Sequence, residues 1–287
     1  MSAILSGIIP YFTWATGDVF AVVATRKSNA FLASFFNFIF SFFVYALYVP
    51  FALKDLNNLT LGTLIICIAL GVVSALSFLG FNEALRIGNA SIVGAVAGSF
   101  GAVVVVFSLL FLKETLTTFQ LLGIVVIFIG ILLTMLNLNE IKKGQLFNNK
   151  GFYLSLLVML GWGAYHTFIK IPVRQIGWFW PGFIAIITGS IIFLLMGLRQ
   201  PKSLKRTTPK IYLFIFIAAA IFALGEFSFS YGLSIGSASV VAPIAGAYPT
   251  LFVVLSRFFF KDKLNKQQTA GIVTTLVGIV VLAFFSR

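Results

Sequence analysis

Acidic residues are scarce in this sequence: seven Asp and Glu stand against twenty Lys and Arg, with one His and one Cys in 287 residues. A lone cysteine, Cys67, excludes an intrachain disulfide and leaves a structural zinc site or an iron–sulfur cluster without its ligands. Inside an apolar run, its plainest role is packing. There is no HExxH and no pair of carboxylates at helical spacing that would hold a metal, so these constellations of a membrane-embedded enzyme are missing. The chain reads as a non-enzyme without cofactor or metal. Charged residues of both signs make up only 9% of it and hydrophobic residues 60%, with a mean hydropathy of +1.07. A soluble chain carries roughly a quarter of its residues charged, so the bilayer must be the solvent. The net charge of +13 would suggest nucleic acid in a soluble protein. Here the basic residues flank apolar runs, and topology and anionic lipid headgroups account for them.

What the sequence has in plenty is apolar runs of about 20 residues, the length that crosses a hydrocarbon core of ~30 Å as helix. Ten are legible: Ile4–Ala24, Asn29–Ala52, Leu61–Ala84, Ser91–Leu112, Thr118–Leu136, Gly151–Ile171, Trp178–Leu198, Ile211–Gly232, Ser237–Phe260 and Gln267–Phe285. Helices are the element expected, because a span must satisfy its own backbone hydrogen bonds in lipid and these runs are too long and uniform for barrel strands. No basic leader precedes the first run, so it is read as a span and not as a cleaved signal. The 34 Phe and 25 Gly suit lipid-facing surface and close helix contact.

Shifting the sequence by 148 residues lays Leu85–Ile131 over Leu233–Ile279, and 20 of the 47 pairs are identical without a gap. The matches include Ile87-Gly88 with Ile235-Gly236, Ala97-Gly98 with Ala245-Gly246, and Gln120 and Gly123 with Gln268 and Gly271. The same shift pairs Trp14 with Trp162 and Phe20 with Phe168. The chain is therefore a duplication: residues 1–136 form one five-helix repeat, 137–150 a polar linker and 151–287 the second repeat. Five is odd, so the second copy enters the membrane from the other side. The expected fold is all-α, with ten transmembrane helices as two inverted five-helix repeats. Inverted repeats characterise secondary transporters, whose halves exchange conformations around one central site. Loops on the face opposite the termini hold 15 Lys and Arg against 5 on the termini face, which predicts that the termini face away from the cytoplasm.

Two blocks carry a family likeness: Ala84-Leu85-Arg86-Ile87-Gly88-Asn89-Ala90-Ser91 running to Leu112-Lys113-Glu114-Thr115-Leu116, and Tyr231-Gly232-Leu233-Ser234-Ile235-Gly236-Ser237-Ala238-Ser239 running to Phe260-Lys261-Asp262-Lys263-Leu264. Each is followed by Gln, then Gly, then a glycine seven residues later. In these blocks, and in its length and five-plus-five architecture, the chain resembles the EamA-type transporters of the drug/metabolite transporter (DMT) superfamily. The resemblance implies a ten-helix bundle around a central cavity, moving amino acids, nucleobase-like metabolites, sugars or drugs without ATP. One departure stands out: Gly101 occupies the place that Pro249 takes in the second repeat, so symmetric kinking of the fourth helices is not expected.

Ionisable groups within spans are the best pointers to a site, since a charge at the bilayer centre costs at least ~2.5 kcal/mol. Asp18 and His166 lie 148 residues apart, the repeat offset, so a pseudo-twofold axis places an acid and the only histidine at equivalent depths. Such a pair suits proton coupling or an ammonium-binding site; the plainer alternatives are a solvated interfacial carboxylate and a histidine bonded between helices. Glu226 is central to its helix and must be protonated, paired or functional, Lys170 being a candidate structural partner. Glu83 is expected to pair locally with Arg86 at i,i+3. Trp14, Trp162, Tyr165, Tyr231 and Tyr248 are candidate lining residues, although Trp and Tyr also gather at membrane interfaces. Trp14 and Trp162 precede Asp18 and His166 by one turn on the same faces. The sequence thus predicts a secondary active exporter of small organic metabolites working by alternating access. Amino acids, aromatic or cationic ones first, are favoured over sugars and nucleosides; a membrane-embedded lipid-modifying enzyme is the alternative of another class. Expected partners are a small-molecule substrate, membrane lipids and coupled protons, with no nucleic acid. A monomer in a prokaryotic plasma (inner) membrane is the expected working form.

Overall fold

A computed structural model of the protein describes residues 2–88, 90–136, 150–199, 204, 207–261 and 264–286. Among these the regular structure is helical, with no strand. The proposed linker lies outside the described residues apart from Lys150, as do the basic loop positions Lys142, Lys143, Lys202, Lys205, Arg206 and Lys263. Among the described residues, nine helices are long and apolar enough to cross a membrane, and a tenth crossing results when two segments bent by 56° are taken as one span. In order, the spans are Ala3–Lys27; Ala30–Ala46 with Val49–Ala52 and Leu53–Asn58; Leu61–Ile87; Ala90–Gly98 with Phe100–Phe111; Thr118–Met135; Lys150–Phe168 with Lys170–Ile176; Phe179–Arg199; Pro209–Ile235; Ala238–Gly246 with Tyr248–Phe259; and Lys266–Phe284. The protein is a multi-pass, all-α membrane protein in two inverted repeats, with nine to ten spans among the described residues.

Polar side chains set where several helices start. Ser2, Asn29, Thr60, Thr117 and Asn265 each accept a hydrogen bond from the backbone N–H three residues on, a cap worth ~1 kcal/mol. Thr117 with Gln120 and Asn265 with Gln268 close full capping boxes. These two boxes occupy matching positions in the two repeats, so the duplication carries its helix-start chemistry with it.

The second span departs from the continuous run Asn29–Ala52. Its helix ends at Ala46 and resumes at Val49, where Pro50 can bring no N–H to an unbroken ladder. Trp180 Nε1 donates to the Ala52 carbonyl at 2.7 Å, which ties the bent end to the seventh span. The fourth and ninth spans are also broken, and at matching places: Gly98 to Phe100 and Gly246 to Tyr248. Symmetric kinking is not expected with Gly101 opposite Pro249, yet both spans break at matching places. Pro249 opens the second half of the ninth span. In the fourth, small residues at the crossing do the equivalent work.

The pseudo-twofold axis shows in the packing. A Cβ on Gly98 would meet the Pro249 ring at 2.7 Å, and one on Gly246 would lie 3.6 Å from Gly101, the repeat mate of Pro249. The fifth and tenth spans repeat the device: Gly130 abuts Thr275 and Gly271, while Gly278 abuts Ile127 and Gly123. Helices in lipid gain little from burying apolar surface against each other, so such close backbone approach is what holds the two repeats together.

Candidate functional site

The site is built where the first, sixth and eighth spans meet the breaks of the fourth and ninth. His166 is buried, and its Nδ1 lies 2.8 Å from the Trp162 carbonyl. A carbonyl only accepts, so Nδ1 carries the hydrogen. That turns Nε2 toward Glu226, whose Oε1 is 3.6 Å away; among the described residues no hydrogen-bond partner reaches Nε2. A neutral imidazole with that tautomer facing an ionised carboxylate would set two lone pairs against each other. The pair is chemically satisfied when one proton lies between them, on the ring as imidazolium or on Glu226 as the acid. Glu226 keeps 25% of its side chain exposed against 8% for His166, so the carboxylate is the member open to exchange.

Aromatic rings surround the His166 member of this pair. The Trp14 ring centroid lies 5.6 Å from that of His166, 5.7 Å from Tyr248 and 5.7 Å from Phe229. Phe100 stacks on His166 at 4.8 Å, and Tyr165 meets the imidazole edge-on at 4.9 Å. The duplication is visible here too: Trp14 against Tyr248 and Phe229 has its counterpart in Trp162 against Phe100 at 6.2 Å and Phe81 at 5.0 Å. Because Phe100 and Tyr248 are the first residues of the half-helices in the fourth and ninth spans, the positive ends of two half-helix dipoles reach the same region.

Among the residues singled out from sequence, Trp14, Tyr165, His166, Glu226 and Tyr248 come together. Trp162 adjoins them through its carbonyl and Phe100. Asp18 is partly exposed in the first span, and among the described residues no hydrogen bond or ion pair holds it. Tyr231 lies elsewhere. Its ring meets Trp178 at 6.3 Å, beside Tyr48, Phe179 and Phe227, in an aromatic plug toward the termini face. Sequence reasoning misses two members, Phe100 and Phe229, whose rings meet His166 at 4.8 and 5.0 Å. Phe100 is within reach of that reasoning, as the repeat mate of Tyr248.

The suggested pairing of Glu226 with Lys170 is not what the structure holds. Lys170 lies one turn beyond His166 toward the termini face, and its Nζ donates to Glu114 Oε1 at 2.6 Å and to the Gly236 carbonyl at 2.6 Å. Glu83 pairs with Arg86 as expected, the Arg86 Nε donating to Oε2 at 2.7 Å. Among the described residues no group of three or more His, Cys, Asp or Glu is placed to hold a metal.

Nine to ten spans among the described residues, with ionisable and aromatic side chains converging where broken helices cross, define a multi-pass membrane protein with a candidate site at its centre. The chain belongs to the EamA-like transporter family, whose model matches residues 1–136 and 149–284. It is 24% identical over 195 residues to the uncharacterized transporter YvbV of Bacillus subtilis, covering 65% of this chain and 63% of that protein. It is 27% identical over 141 residues to a probable amino-acid metabolite efflux pump of Salmonella typhimurium, covering 47% and 43%. The chain thus spans about half the length of these relatives. An uncharacterized protein of Methanocaldococcus jannaschii, MJ1333.1, is 33% identical over 135 residues; that match covers 95% of its length but 46% of this chain. A solved crystal structure superposes with a TM-score of 0.77 at 15% identity, covering 99% of this chain and 97% of that one, a likeness of fold alone.

Proposed function

We propose that this protein is a secondary active exporter of amino acids or closely related small metabolites, working by alternating access of its two repeats. The observation that carries this reading is the His166–Glu226 pair, its imidazole within the ring cluster of Trp14, Tyr165, Phe100 and Tyr248, at the crossing of the broken spans. A zwitterion needs a negative site for its ammonium and a positive one for its carboxylate. Glu226 and Asp18 offer the first. Protonated His166 and the half-helix ends at Phe100 and Tyr248 offer the second, a use of interrupted helices common to transporters. The flat ring faces favour an aromatic or cationic side chain. The similarity to a probable amino-acid metabolite efflux pump points the same way.

Coupling follows from the single proton of the pair. When an ammonium approaches Glu226, the carboxylate must be ionised and the proton must reside on His166 or leave. Where the proton leaves, substrate and proton compete for one group, which is the requirement for exchange; where it moves to His166, the imidazolium pairs with the substrate carboxylate and no proton is exchanged. Asp18, at the depth matching His166 in the other repeat, is the second proton-accepting candidate.

The test is ligand-induced stabilisation of the purified protein across amino acids, sugars and nucleosides. A ligand at 100 times its Kd adds ~2.7 kcal/mol to stability, which raises the melting temperature by several degrees. Aromatic or cationic amino acids should produce the shift in the native chain and lose it in Glu226→Gln. A shift from sugars or nucleosides only, or one from amino acids that survives Glu226→Gln unchanged, would remove the proposed site.

A further inference from the structure

One charged cluster lies outside the central site. Lys113 and its repeat mate Lys261 both adopt left-handed backbone, with φ of 54° and 63°. Each ends a span just before an acid, Glu114 or Asp262. Asp262 lies outside the described residues, but Glu114 is fully placed. Its Oε1 accepts from Lys170 Nζ at 2.6 Å and the Ala238 N–H at 2.9 Å. Its Oε2 accepts from the Ser239 N–H at 2.9 Å and the Ser239 hydroxyl at 2.7 Å. The side chains of Glu114 and Lys170 are only 6% and 4% exposed. A single carboxylate thereby fastens the turn after the fourth span to the end of the sixth and to the start of the ninth, on the termini face.

The repeat offset gives the corresponding positions on the opposite face. Glu114 maps to Asp262, Ser239 to Ser91 and Gly236 to Gly88, so acid, hydroxyl and glycine are kept. Lys170 maps to Val22. The duplication has retained the acid on both faces and the neutralising lysine on one.

We propose that Glu114 and Lys170 form a one-sided latch that holds the termini face of the transporter shut and must open for the central site to reach that face. Every side-chain bond made by Glu114 crosses between elements that alternating access would separate. If a buried carboxylate and a buried ammonium came apart without water, each would be left a bare charge, so the latch opens and rehydrates as a unit. The sequence places valine, not lysine, at the corresponding position on the opposite face, and on this proposal the resting protein is biased toward closure at the termini face. The functional consequence rests on the alternating-access reading above. The measurement below needs no substrate, so the two can fail separately.

The test uses the full chain in nanodiscs, with Cys67→Ala removing the native thiol. One spin-label pair at the exposed positions Thr115→Cys and Ser234→Cys reads the termini face; another at Arg86→Cys and Lys266→Cys reads the opposite one. The native latch should give a short distance at the termini face. Glu114→Gln and Lys170→Met should raise the ratio of long to short distances there by about tenfold or more, the change that loss of one charge-assisted hydrogen bond brings. The opposite-face pair should shorten in step. Should Glu114→Gln fail to fold, Ser239→Ala removes one bond and is expected to move both distances the same way by less. Folded variants whose distances match the native ones at both faces would overturn the latch, even with lowered melting temperatures, since a static clamp loosens without opening.

Discussion

Replacing Gly130 by alanine tests the seam between the repeats at its tightest point. A Cβ there would collide with the Thr275 nitrogen and fall 2.7 Å from the Gly271 carbonyl, where ordinary contacts begin at 3.4 Å. Both are backbone atoms, so no rotamer change relieves the clash, and the fifth and tenth spans must move apart by about 1 Å. Overpacking of this kind costs up to ~3 kcal/mol, against a gain of ~1 kcal/mol for alanine over glycine in a helix. The net loss is ~2 kcal/mol, or ~4–8 °C in melting temperature at 2–4 °C per kcal/mol. Gly278→Ala, the symmetry mate, meets the Ile127 nitrogen at 2.6 Å and the Gly123 carbonyl at 2.9 Å and should lose a similar or slightly smaller amount. Gly62→Ala, with its nearest atom at 3.9 Å, should lose nothing. Differential scanning fluorimetry in detergent or nanodiscs reads all three. Native melting of both Gly130→Ala and Gly278→Ala would refute the packing and the symmetry drawn from it.

Glu83→Gln should leave melting temperature and transport unchanged, because the Glu83–Arg86 pair stands in solvent with side chains 40% and 65% exposed and is screened there; a clear loss would mean that Glu83 faces protein or substrate. Glu114 supplies a pH prediction. Burial opposes its ionisation, but hydrogen bonds from Lys170, the Ser239 hydroxyl and the Ser239 and Ala238 amides outweigh this and hold the carboxyl below its ordinary value. A depressed folded pKa gives stability that is present above the unfolded value of ~4.3 and is lost as pH falls through the folded one. Protection of the Ala238 and Ser239 amides from hydrogen exchange, taken relative to the intrinsic rate at each pH, should therefore persist through neutral and mildly acidic pH and fall only below the usual carboxylate range. Loss of protection already at pH 6 would contradict that assignment.

The spans and the duplication are legible in sequence because lipid imposes long apolar runs and because identical residues recur at one offset. That offset also singles out Trp14, Asp18 and His166 as candidates, through the repeat positions they share with Trp162 and with each other. It does not reveal which residue each touches. Trp14 meets His166 across the repeat boundary, and that depends on how the first span leans into the bundle. Phe100 and Phe229 are two among 34 Phe, and nothing local distinguishes a ring at the site from one in lipid. Sequence reasoning gives Lys170 the wrong acid for a related reason. Its choice between Glu226 and Glu114 depends on one helical turn, and Glu114 reads locally as an ordinary loop carboxylate. The break at Gly98 is hidden because no proline marks it; close crossing of the two broken spans is a tertiary fact.

Counterflow in proteoliposomes decides whether the His166–Glu226 site carries amino acids: vesicles loaded with one unlabelled amino acid, the same labelled amino acid outside, and native protein beside Asp18→Asn, His166→Ala and Glu226→Gln. The account predicts saturable uptake of the label into loaded vesicles by the native protein, abolished in Glu226→Gln and weakened in the other two. Uptake that is equal in all four proteins would contradict the site, and the absence of counterflow for every amino acid in the panel would contradict the proposed substrate class.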